Sequence, residues 1–225
     1  MFEQPFLIKA SARVFRHHFA LLLLFVTCAN GRASLSSDEE VLVKGLGFDP
    51  VAMNSVKALG SSLERLMGRS VDFQRVPAAG VVLLTKPNEG HTVLIAVRRV
   101  LAGSSYSAYL NEQAFGHGPD RVAIMKTSDP YAYLAVVRTD GVNYDIDHAQ
   151  VIARYRELTK RYGLLLVGAG QDWLEAKFSR QPEDWKVFAK EVYAFCPDIV
   201  DQGTGTVEAL AHEMRRTNTL YLWWD

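Results

Sequence analysis

An α+β fold, with helices packed on a mixed, mainly antiparallel β-sheet, is the class this sequence predicts, and three observations predict it. Stretches with apolar residues at helical spacing alternate with short β-branched runs bounded by Gly or Pro. Hydrophobic residues are 48% and aromatic ones 11% of the 225 residues, enough for a packed core throughout. Strands and helices alternate along the chain in an order that suggests helices against one face of a mixed sheet.

The N-terminal residues read as a leader. Lys9, Arg13 and Arg16 precede an apolar run from Phe19 to Val26, and small residues come after it, with Ala29 and Ala33 both fitting a cleavage site. That run is well short of the roughly 20 residues that span a bilayer, so no stable membrane span is expected after processing. Residues 1–33 are therefore assigned as a signal peptide, and the protein is expected in the periplasm or secreted. The leader takes four of the 25 basic residues and one of the 25 acidic ones, so the rest carries 21 against 24, a net charge of −3. A mildly acidic surface gives no electrostatic reason to gather phosphates, which argues against nucleic acid as a partner. Only Cys196 remains beyond the leader, so no internal disulfide is expected.

Each element has a local reason. The trio Asp38-Glu39-Glu40 is expected as a solvated start. Asp49-Pro50 is an N-cap with Pro at the first helical position, and Val51, Val56, Leu59, Leu63 and Leu66 keep helical spacing until Gly68. Two strands come next, 71–76 and 81–84. Residues 91–102 fit a helix with Val93, Val97 and Leu101 inward, although Val93 to Val97 fits a strand as well. Residues 105–110 and 121–125 read as strands. Asp129-Pro130 caps a short helix, and 141–145 is a polar turn. Asp147 and Gln150 form a capping box for a helix that Gly163 ends. Residues 164–167 and 173–178 are strands joined through Gly168-Ala169-Gly170-Gln171-Asp172. Pro182 opens the next helix, Thr206 caps another, and 220–224 closes as a strand. Helices are expected on one face of the sheet. The chain divides into an N-terminal α+β region, 34–120, and a C-terminal α+β domain, 121–225.

The C-terminal part carries the most distinctive residues: Phe195-Cys196-Pro197-Asp198, then Gln202-Gly203, then Trp223-Trp224-Asp225. With these the segment 121–225 resembles the bacterial domain of unknown function 4253 family, a resemblance that implies no activity. The polar residues Asn143, Tyr144, Asp145, Asp172, Asp198, Asp201 and Gln202 match recurring positions of that family. They fall mostly on loops, where a scaffold presents functional groups, and form the candidate binding cluster.

Each chemical reading has a plainer counterpart. Cys196 paired with His117, His148 or His212 would suggest a Cys-His enzyme. Its place at the C-terminal end of a helix disfavours a thiolate, so a buried structural cysteine is the expectation. Capping explains Asp147, turn hydrogen bonds explain Asp145 and Asp198, and no metal or cofactor is expected. Gly168-Ala169-Gly170 lacks the third glycine and subsequent helix of a phosphate-binding turn. In the terminal strand Tyr221 and Trp223 share one face while Leu222 and Trp224 share the other, so one face is core. The functional expectation is an exported, non-catalytic binding protein, in its sharpest form an immunity protein that neutralises a toxin or effector in the periplasm. The alternative is a periplasmic hydrolase using Cys196 or the loop aspartates.

Overall fold

The computed structural model describes residues 34–225, so the segment 1–33, where a leader is expected, lies outside the described residues. Ser36 opens helix α1 (Ser37–Gly45) through a capping box, its hydroxyl accepting from the Glu39 N–H while the Glu39 carboxylate accepts from the Ser36 N–H. The acidic trio forms a first helical turn in which Asp38 and Glu40 are exposed, as a solvated start requires, while Glu39 is buried. Asp49 caps α2 (Pro50–Lys57) as expected, but that helix stops well before Gly68. The chain continues instead as strand β1 (Leu63–Arg69). Leu63 and Leu66 lie three apart, which mimics a helical stripe. In the strand successive side chains alternate faces, so that odd spacing sends them to different cores, one on each side of the sheet.

Strand β2 (Arg75–Leu84) is one ten-residue element where the sequence suggests two. Pro77 lies in the stretch that pairs with β1 alone, where a missing N–H is tolerated. Helix α3 (Gly90–Val100) buries Val93 and Val97, with Leu101 just beyond it. Strands β3 (Ser107–Glu112) and β4 (Arg121–Met125) come next, then α4 (Pro130–Val137), capped by Asp129. A 3-10 turn (Val142–Tyr144) leads to α5 (His148–Tyr162), with the expected Asp147/Gln150 box and a left-handed Gly163 at its end. Strands β5 (Leu165–Ala169) and β6 (Trp173–Lys177) form a hairpin whose first strand runs two residues further than expected. Helix α6 (Trp185–Phe195) is capped by Asp184 rather than opened at Pro182. A π-helical turn (Ile199–Thr204), α7 (Val207–Thr217) and β7 (Thr219–Trp223) complete the chain.

The seven strands among the described residues form one sheet in the order β1-β2-β4-β3-β5-β6-β7. Every neighbouring pair is antiparallel except β3 and β5, which are parallel and meet at the single register Leu110 to Gly168. A Cβ at Gly168 would lie 2.2 Å from the Leu110 carbonyl oxygen, so the strands close there only over glycine. The position 120/121 falls at the start of β4, which is hydrogen-bonded to β2 on one side and β3 on the other.

Helices cover both faces, not one. Residues of α1, α2 and α3 pack with Val81, Leu83, Val122 and Ile124 on one side. Residues of α4 to α7 pack with Val82, Ala123, Leu174 and Leu222 on the other. The physical reason is in the strands themselves: 81–84 and 122–125 are continuous apolar runs, the pattern of a sheet buried on both faces.

Candidate functional site

The polar residues singled out from sequence converge in part. Asp198 is fully buried and sits at their centre. Its Oδ1 accepts from the Tyr144 hydroxyl and from Gln202 Nε2 at 2.9 Å, and its Oδ2 accepts from the Asp225 N–H at 2.9 Å. Asn143 Nδ2 donates to the Asp225 carbonyl oxygen. Burial opposes ionisation of Asp198, but these donors outweigh it and hold the carboxyl below the ordinary aspartate value. The same contact pushes the Tyr144 phenol up to about 12. Asp201 lies one turn away and accepts from the Tyr193 hydroxyl at 2.9 Å. Asp172 joins through its backbone, its carbonyl accepting from the Trp224 N–H at 2.9 Å. Desolvation in that loop, with Asp225 and Asp140 adding their charge, raises its carboxyl pKa. Asp145 is not brought in; it takes the left-handed conformation that ends the 3-10 turn.

What this arrangement can do is mechanical. The terminal residues after β7 are tied to the π-helical turn and to the 3-10 turn by one buried carboxylate. Trp224 is buried beneath them, its ring edge-on to Phe195 at 5.7 Å and its Nε1 donating to the Phe195 carbonyl. A Cβ at Gly141 would lie 2.7 Å from that ring, so the turn closes over the indole.

Cys196 belongs to the same region. Its Sγ donates to the Trp223 carbonyl at 3.0 Å and accepts from the Trp223 N–H at 3.3 Å. Burial pushes the thiol up to about 12, which keeps it protonated at neutral pH. His148 turns to the Thr139 carbonyl instead, its Nδ1 lying 3.2 Å from that oxygen, while His117 and His212 are exposed.

Sequence reasoning missed the polar groups that work across long separations. Glu39 accepts from Lys57 Nζ and, at 2.7 Å, from the Leu63 N–H. Although burial raises its pKa, these donors win and lower it to about 2. Arg98 reaches from α3 into the gap where β3 and β5 diverge, its Nε 2.9 Å from the Ala108 carbonyl and its Nη2 2.8 Å from that of Leu166. It supplies the hydrogen bonds that the missing ladder would have made. Glu175, buried on β6, meets His91 Nε2 at 2.8 Å, and His91 Nδ1 lies 3.1 Å from Gln113 Nε2. No local motif marks any of these, since each pairing spans 10 or more residues.

The outer surface holds a groove of about 590 Å³ between α4 and α5. Its floor is Ala135, Ala149, Ile152 and Ala153, its wall is Tyr131, and Arg156 and Lys160 stand on the rim. The Arg156 guanidinium lies 4.6 Å from the Tyr131 ring centroid. Among the described residues no group of three His, Cys, Asp or Glu could hold a metal ion, and no helix is long and apolar enough to cross a membrane.

No curated protein and no solved structure matches the chain. Residues 121–225 match the family described as domain of unknown function (DUF4253).

Proposed function

We propose that the protein is a non-catalytic binding protein that takes a protein partner in the groove between α4 and α5. One observation carries this reading: an exposed floor of mainly small residues between two helices, with an aromatic wall and a rim where Arg156 and Lys160 stand beside a Glu157 already paired with Arg154 and Arg161, has the composition of a helix-accepting groove. The candidate chemical groups fit the same view, because Cys196 and Asp198 have their polar atoms engaged by β7 and its neighbours. The finer reading is an exported protein, acting in the periplasm as an immunity protein against a toxin, with the leader at 1–33 as its support. The Arg156 and Lys160 rim favours a partner segment with acidic residues.

Affinity purification of the tagged protein from the envelope fraction of its own cells, with mass spectrometry, tests this. One stoichiometric protein should co-purify, persist with Cys196→Ala, and be lost with Ala153→Arg, which fills the groove floor. Absence of a partner, or a partner indifferent to Ala153→Arg, contradicts the reading. The hydrolase alternative requires Cys196 or the loop aspartates to react, and loss of a biological phenotype in a folded Cys196→Ala variant would favour it instead.

A further inference from the structure

A second concavity lies on the far side of the α4 C-terminus, where the topology changes. β3 and β5 are adjacent and parallel, yet their carboxyl-end loops leave in opposite directions, one to β4 and the other to β6. Divergent connections at the carboxyl ends of parallel neighbours open a crevice, the arrangement that places ligands in open α/β sheets. Here Asn111 lies one residue from the end of β3 on one side, and Gly170 and Gln171 come after β5 on the other. The outer part of the β1–β2 hairpin closes over them. Its register jumps between Arg65 and Met67, so that a Cβ at Gly68 would lie 2.7 Å from the Val136 carbonyl oxygen and Arg69 Nη1 reaches Asp140 Oδ2 at 2.7 Å. The resulting cleft is about 390 Å³.

Its lining is rich in unused donors. The guanidinium of Arg75, the side-chain amide of Gln171 and the indole N–H of Trp173 make no hydrogen bond to another described residue. Arg75 and Gln171 are exposed, and Trp173 is half-buried with no buried unpartnered polar atom, so these groups face solvent. Gly170 makes room for the indole, since a Cβ there would lie 2.2 Å from Trp173 Nε1. Of the nearby acids, Asp140 pairs with Arg69, and Glu112 shares Arg121 with Glu64, its Oε2 3.1 Å from Arg121 Nε. Arg75 makes no ion pair with another described residue, so its guanidinium is open to a ligand. Flat apolar surface stands beside it: Phe73 is 62% exposed, held at φ 62° with the Arg69 guanidinium 4.3 Å from its ring, and Trp173 stacks on Tyr221.

We infer that this cleft binds a small planar organic anion, its oxyanion held by Arg75 with the Trp173 and Gln171 donors and its flat part against the aromatic walls. The site does not depend on the groove between α4 and α5.

Benzoate is a suitable probe, titrated into the purified isotope-labelled protein while the Trp173 indole N–H resonance, assigned with Trp173→Phe, is tracked by NMR. A saturable shift is expected with benzoate, absent with benzyl alcohol over the same range. In Arg75→Ala, with its melting temperature unchanged, the affinity should fall by about tenfold or more, as loss of a charge-assisted hydrogen bond implies. No saturable shift, an equal response to benzyl alcohol, or an equal affinity in Arg75→Ala overturns the proposal. Inorganic phosphate binding as tightly as benzoate overturns its planar part and leaves an anion site alone.

Discussion

Glu39 shows how a buried charge is held without catalytic purpose. Lys57, the Ser36 N–H and the Leu63 N–H all point at its carboxylate, tying α1 to α2 and to β1. Its folded pKa, about 2, lies below the unfolded value, so its contribution is present above about pH 4.5 and is lost as the pH falls toward 2. Glu39→Gln should remove on the order of 3 kcal/mol at neutral pH and flatten the acid limb of the stability curve, measured by urea unfolding at several pH values. An unchanged acid limb would mean the carboxylate is not held this way. Cys196 gives the opposite case, a group kept neutral. At pH 8 the native thiol should resist an alkylating reagent and react once urea unfolds the chain; rapid native labelling would contradict its burial. The burial of Cys196 is legible in the sequence, because the residue ends an amphipathic helix next to a proline. Glu39 is not, because Lys57 and Leu63 lie 18 and 24 residues away and nothing in the trio Asp38-Glu39-Glu40 names them.

β7 is an edge strand that pairs only with β6, so its attachment rests on what its far side meets. Leu220, Leu222 and Trp224 enter the core, and Asp198 holds the N–H of Asp225. Trp224→Ala should cost about 3–5 kcal/mol, a loss that thermal and urea unfolding can both register. Asp198→Asn sets an amide donor against one of the groups that now donate to it, and should cost about 1–3 kcal/mol. Its lowered pKa means the wild-type latch weakens as the pH drops below the ordinary aspartate range, and the Asn variant should lose that dependence. Helix caps at Asp49, Asp129, Asp147 and Thr206 are readable because a cap is a local exchange between a side chain and the next turn. The strand 63–69 is not readable, since Leu63 and Leu66 satisfy helical spacing equally well and only the pairing with β2 decides. Of the candidate cluster, Asn143, Tyr144, Asp198 and Gln202 meet, but as a latch. Their convergence depends on the π-helical turn and the terminal residues folding against each other, which no short pattern encodes.

The sheet is the scale at which the two parts of the chain become one. The segment 121–225 supplies β4, β5, β6 and β7, but β3, from residues 107–112, lies between β4 and β5. Helices on both faces are masked in the sequence by the same apolar runs that identify the strands, because burial on two sides removes the alternation that would have marked a solvent face. Strand order is beyond reach for a different reason: parallel contact at one register through Gly168, stapled by Arg98, leaves no signal in either strand. The cleft, the latch and the Arg98 bonds all depend on β3 occupying that place. The most direct measurement is the thermal unfolding and NMR dispersion of residues 121–225 expressed alone beside the intact protein. Without β3, the fragment should give a collapsed spectrum and no cooperative melt, while the intact protein gives both dispersion and a single transition. A dispersed, cooperatively melting 121–225 fragment would contradict a sheet that needs β3 at its centre.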